Sequence, residues 1–92
     1  MMFRDLAFGP HPHNGNRQAK VFFPNGYGAS VIIGPYTYGG DEGLYELAVL
    51  KGTETKWDIC YDTPVTDDVE GHLSSEAVDK LLAEIEALPK LA

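Results

Sequence analysis

The sequence predicts an α+β fold: an antiparallel sheet of four to five strands, built from two hairpins, with one C-terminal amphipathic helix packed on one face. Three observations carry that prediction. Two pairs of alternating segments, rich in β-branched and aromatic residues, are each joined by a glycine-containing turn. One apolar stripe at helical spacing runs through residues 78–88. A chain of 92 residues has room for a single domain, so that stripe has to lie on the sheet.

The elements follow in chain order. Phe3 to Phe8 alternates loosely and reads as an edge strand ended by Gly9-Pro10. His11 to Arg17 is polar and reads as a loop. Gln18 to Phe23 alternates cleanly, with Ala19, Val21 and Phe23 on one face and Gln18, Lys20 and Phe22 on the other. Pro24-Asn25-Gly26-Tyr27-Gly28 supplies the turn, and the β-branched run Ala29 to Ile33 returns as the second strand of the first hairpin. Gly34 to Gly43 holds four glycines, a proline and two tyrosines and forms a long irregular loop. Leu44 to Leu50 carries only Glu46 as a charge and reads as a central strand. Gly52-Thr53-Glu54-Thr55 turns the chain into Lys56 to Tyr61, which closes the second hairpin with Trp57, Ile59 and Tyr61 on one face and Lys56, Asp58 and Cys60 on the other.

The acidic segment Asp62 to His72 contains Pro64 and Gly71 and reads as a loop. Ser74 is placed to cap the helix, accepting a free N–H one turn on, and Leu73 with Val78 has the spacing of a hydrophobic staple. Glu76 and Asp79 sit at the positive end of the helix dipole. Val78, Leu81, Leu82, Ile85 and Leu88 form the stripe, and Pro89 stops the helix.

Charge is unevenly laid out. The net charge is −7, yet residues 1–40 carry three basic groups against Asp5, a balance of +2. Residues 41–92 carry thirteen acids against four lysines, a balance of −9. Such a field repels phosphate backbones and argues against direct nucleic-acid binding, while it suits a basic protein partner or DNA mimicry. The same charge also serves solubility. Cys60 is the sole cysteine, so no internal disulfide forms. No apolar run reaches the length of a membrane span, and Met1-Met2-Phe3-Arg4-Asp5 lacks a signal-peptide pattern, so a cytoplasmic location, with no membrane contact, is expected.

The candidate sites are weighed by what their chemistry requires. His11-Pro12-His13 offers two imidazoles, but structural zinc sites use two paired spacings, and the second pair is missing. Asp62, Asp67, Asp68 and Glu70 are oxygen donors without the alternating layout that wraps calcium; Asp67 and Asp68 suit side-chain-to-backbone turns. Gly26 and Gly28 lie between strands, whereas phosphate cradles run from a strand into a helix. Cys60 has no neighbour in sequence that would activate it, and no catalytic constellation stands out. The expectation is therefore no catalytic residue, no metal and no cofactor. The tyrosine-glycine loop Gly34 to Gly43 carries two readings. It is either a recognition surface, for which such composition is suited, or a lid whose Tyr36 and Tyr38 cover a small core. The residues selected for binding are Tyr27, Tyr36, Tyr38, Asp41, Glu42, Asp67 and Asp68.

Three strings, FPNGYGASV at 23–31, GPYTYGGDEGLYELAVL at 34–50 and CYDTPVTDDVEGHL at 60–73, give the chain a resemblance. It resembles a family of small uncharacterised proteins encoded by tailed bacteriophages and prophages, over most of residues 22–88. The resemblance implies an origin rather than a mechanism. Small acidic phage proteins outside the virion often act stoichiometrically on host machinery, which implies a host-factor inhibitor of the counter-defence, anti-CRISPR-like kind, acting in the host cytoplasm on a host protein. A second expectation is a sponge for a small nucleotide signal, which requires Arg4, Arg17, Lys20, Tyr27, Tyr36 and Tyr38 to converge on a pocket. A third is a minor virion or assembly protein. An open sheet edge in so small a domain also gives reason to form a homodimer.

Overall fold

Six strands and one helix emerge from this sequence in the computed structural model, which describes residues 2–10, 15–35, 37, 39–60, 63–65 and 69–91. The strands are β1 (Gly9–Pro10), β2 (Arg17–Phe22), β3 (Tyr27–Ile33), β4 (Tyr45–Thr53), β5 (Lys56–Ile59) and β6 (Glu70–Leu73); the helix α1 is Ser75–Glu86. All pairings are antiparallel, in the order β1-β2-β3-β4-β5, with β6 also on β4. β5 pairs with the second half of β4, from Leu50 to Thr53, and β6 with the first half, at Tyr45 and Leu47. The two short strands therefore lie end to end along one edge of β4. The fold class is the α+β sheet with a C-terminal helix on one face that the sequence predicts, with six strands in place of four or five.

Period-two alternation decides what goes inside. Ala29 and Val31 of β3 and Leu47 and Val49 of β4 point to one face and are at most 1% exposed. Val78, Leu82 and Ile85 of α1 close over them and are fully buried. Cys60 and Phe23 join this core, and Leu73, Leu81 and Leu88 pack at its margin. The Ser74 hydroxyl accepts the Ala77 N–H at 3.2 Å, the N-cap bond the sequence announces.

The far end of α1 is held by a residue sixty positions away. Asn25 Nδ2 donates to the carbonyls of Ile85, Glu86 and Leu88 at 2.9–3.2 Å, while Asn25 Oδ1 accepts the Tyr27 N–H at 3.0 Å. The Leu91 N–H returns to the Asn25 carbonyl at 2.9 Å. The β2–β3 turn thus satisfies carbonyls that a helix terminus leaves without intrahelical partners.

Two expectations are corrected. Phe3 to Phe8 is not a strand: Phe3–Asp5 is a 3₁₀ turn, and the first strand is the short Gly9–Pro10. The Met2 N–H donates to the Asp5 carboxylate at 2.9 Å, the Phe3 N–H donates to the Asp79 carboxylate, and the rings of Phe3, Phe8 and Tyr45 meet tilted or edge to face, with centroids 4.9–6.0 Å apart. Three aromatic rings gathered into one cluster outweigh a loose alternation. Nor is the segment 62–72 loop throughout, because its last residues enter β6. β5 stops alongside Leu50, leaving the outer backbone groups of Tyr45 to Leu47 to be paired by something else, and β6 pairs them. A register shift lies between those pairs, and His72 takes a left-handed φ of 55° there.

Candidate functional site

One helix covers one face of the sheet, so a second face remains. The residues of opposite parity point there: Gln18, Lys20 and Phe22 from β2, Gly28, Ser30 and Ile32 from β3, and Glu46, Ala48 and Leu50 from β4. The register aligns Lys20, Ser30 and Ala48 in one row across the sheet and Gln18, Ile32 and Glu46 in the next. Trp57 and Ile59 of β5 share the face, opposite Gly52 and Leu50.

Side-chain size shapes this face into a groove. Ser30 and Ala48 form a low floor, and the chains that rise beside it are Gln18 on one side and Trp57, Ile59 and Val69 on the other. The hollow between them has a volume of about 270 Å³. Its lining is mainly apolar, with the Glu46 carboxylate beside Ile32, Ala48 and Leu50 as its acidic group. Gln18 Nε2 donates to Ser30 Oγ at 2.8 Å, so these polar groups fix each other's position. Lys20 Nζ reaches to 4.7 Å from the Trp57 ring centre. A cation over an indole at that distance contributes roughly 0.5–1 kcal/mol at an exposed site and holds the ring over the sheet. Trp57 and Ile59 are each 37% exposed, two of the four exposed large apolar side chains among the described residues, and both lie on one strand at the groove wall. Apolar side chains exposed together beside a hollow mark a contact surface more strongly than scattered ones do.

Of the residues selected from sequence, the three that the structure describes, Tyr27, Asp41 and Glu42, lie outside this groove. Tyr27 begins β3 on the helix-covered face, half-buried against the core. Asp41 and Glu42 are exposed in a 3₁₀ turn, Gly40–Glu42, beyond the other end of β3. A seven-residue strand separates them by about 20 Å, so Tyr27 forms no site with them. Tyr36, Tyr38, Asp67 and Asp68 lie outside the described residues, as do His11, His13 and Asp62. The choice between recognition loop and core lid for 34–43 falls on that pair of tyrosines. The convergence required of a nucleotide pocket does not occur among its described members. Lys20 and Tyr27 occupy opposite faces of the sheet, and the Arg17 guanidinium bonds the Phe8 carbonyl at the β1 edge. Among the described residues no cluster of three His, Cys, Asp or Glu side chains could hold a metal ion, and no helix is long and apolar enough to cross a membrane.

None of the groove's described lining residues is among the tyrosines and acids selected from sequence, although a signal for them was present. Trp57 and Ile59 fall on one face, and a chain with one helical stripe must leave one sheet face without a helix. No family model, no curated protein and no solved structure matches the chain.

Proposed function

We propose that this chain is a non-catalytic binding protein that acts stoichiometrically on a basic host protein, seating a basic, apolar-containing segment of that partner in the groove of the helix-free face. The observation that supports the reading most is the groove itself: apolar walls ending in Trp57 and Ile59, with a carboxylate at Glu46, on a chain of net charge −7. An apolar trough with one acidic group suits a lysine or arginine side chain, whose methylene stem lies on apolar surface while its cation meets the carboxylate. The negative field of the whole chain favours encounter with such a partner and disfavours phosphate-rich ones. A phage origin, implied by the sequence resemblance, makes the partner a component of bacterial machinery and the outcome its inhibition, in the manner of a counter-defence protein.

The test is comparative capture from a bacterial lysate with three immobilised proteins: the parent, Ala48→Arg, which fills the groove floor with a bulky cation, and Glu84→Lys, which changes exposed charge on α1. The reading predicts a captured protein of basic isoelectric point, released by salt, lost with Ala48→Arg and retained with Glu84→Lys. Equal capture by Ala48→Arg, or capture of acidic proteins only, overturns it.

A further inference from the structure

The outer edge of β5 carries an inference independent of the groove. Hydrogen-bond phase along this strand follows from two observations. The Cys60 N–H donates to the Val49 carbonyl at 2.8 Å, and Asp58 and Lys56 stand opposite Lys51 and Thr53 in the same register. Lys56, Asp58 and Cys60 therefore direct their backbone groups toward β4, and the alternation of antiparallel ladders turns those of Trp57 and Ile59 outward. The Gly52 N–H, donating at 2.9 Å to Gly26 on the β3 side, shows the same phase from within β4. Among the described residues no strand pairs with the outer side of β5, and all four of its residues are exposed.

We propose that this edge pairs with the β5 edge of a second copy of the chain, antiparallel, with Trp57 opposite Trp57 across a twofold axis. In this register the outward N–H and C=O of the two Trp57 residues exchange a reciprocal pair of hydrogen bonds, and the two indoles adjoin on the groove face. The charges select the register. With Trp57 at the axis, Lys56 of each copy stands opposite Asp58 of the other, giving two opposite-charge cross-strand pairs. A slip of two residues in either direction keeps the hydrogen-bond phase but sets Asp58 against Asp58 or Lys56 against Lys56, and directly opposed like charges destabilise a strand pair. A slip of one residue mismatches donors and acceptors. The product is one continuous sheet with its two grooves side by side. A short edge and two acidic bodies make this a weak, concentration-dependent dimer.

Sedimentation equilibrium over a concentration series tests it with full-length protein. The parent chain is expected to rise from the monomer mass of 10.1 kDa toward twice that value. Asp58→Lys and Lys56→Asp each turn both cross-strand pairs repulsive and are expected to weaken association by about tenfold or more. Mixing the two variants, or combining both substitutions in one chain, restores opposite charges and is expected to restore the dimer. Both positions are exposed, and far-ultraviolet circular dichroism confirms that each variant is folded. A parent that stays monomeric to millimolar concentration, single variants that associate like the parent, or a mixture that does not recover overturns the proposal.

Discussion

Replacing Asn25 with alanine should detach the end of α1 from the β2–β3 turn and lower stability by about 2–3 kcal/mol. One amide side chain of Asn25 serves four backbone partners: three carbonyls of the helix terminus and the Tyr27 N–H. Its NH₂ has only two protons, so the three carbonyl contacts are worth two good bonds, and the acceptor bond makes a third. At about 1 kcal/mol net for each, with some recovery where water replaces the amide, the loss is about 2–3 kcal/mol. In a domain this size that lowers the melting temperature by about 10–20 °C. Asn25→Asp sharpens the test. It keeps the acceptor for Tyr27 but presents a second oxygen to the helix carbonyls, so the ionised carboxylate is disfavoured in the folded state. Its folded-state pKa is then raised above the unfolded value of about 3.9, so stability is fully present below that pH and is lost as pH rises through the raised value. Asn25→Asp should be the less stable variant at pH 7 and should overtake Asn25→Ala below about pH 4. Urea melts of all three proteins at both pH values measure this. An alanine variant within about 0.5 kcal/mol of the parent, or an aspartate variant as stable as the parent at pH 7, refutes the reasoning.

Three more outcomes follow from packing and backbone geometry. Leu82→Ala removes a fully buried side chain from the helix–sheet interface and should cost about 2–5 kcal/mol by chemical denaturation. Gly52→Ala drives a Cβ into the Lys56 carbonyl at a φ of +122°, so the β4–β5 hairpin should open; amide exchange at Asp58 and Cys60, whose N–H groups face β4, should then accelerate much more than at Val31. Ser74→Ala deletes the helix N-cap and should lower the thermal midpoint by the equivalent of about 1 kcal/mol.

Local pattern announced most of this fold. The alternation of Gln18 to Phe23 and of Lys56 to Tyr61, the Ser74 cap and the stripe from Val78 to Leu88 are all short-range signals. The first two appear as the strands Arg17–Phe22 and Lys56–Ile59, with Tyr61 outside the described residues, and the capped helix buries Val78, Leu82 and Ile85 of the stripe. Long-range partners decided what was missed. Glu70 to Leu73 has little strand character of its own and becomes β6 because β4 presents backbone groups beyond the end of β5. Phe3 turns back because Asp79 and Tyr45, more than forty residues away, hold it. Asn25 reads as an ordinary turn residue until the helix terminus is set beside it. The groove was legible in part: the shared face of Trp57 and Ile59 is a sequence fact. That this face carries no helix among the described residues follows from where α1 lies, and the low floor follows from the register that aligns Ser30 with Ala48.

Trp57 is the only tryptophan in the chain and stands on the groove wall, so its emission reports on the helix-free face directly. The decisive measurement is acrylamide quenching of Trp57 fluorescence with and without the captured basic partner, at a protein concentration below that of self-association. Docking in the groove predicts a blue-shifted emission and a several-fold fall in quenching as the indole, 37% exposed when free, is covered. A complex that forms with emission and quenching unchanged would contradict the assignment of the helix-free face as the binding surface.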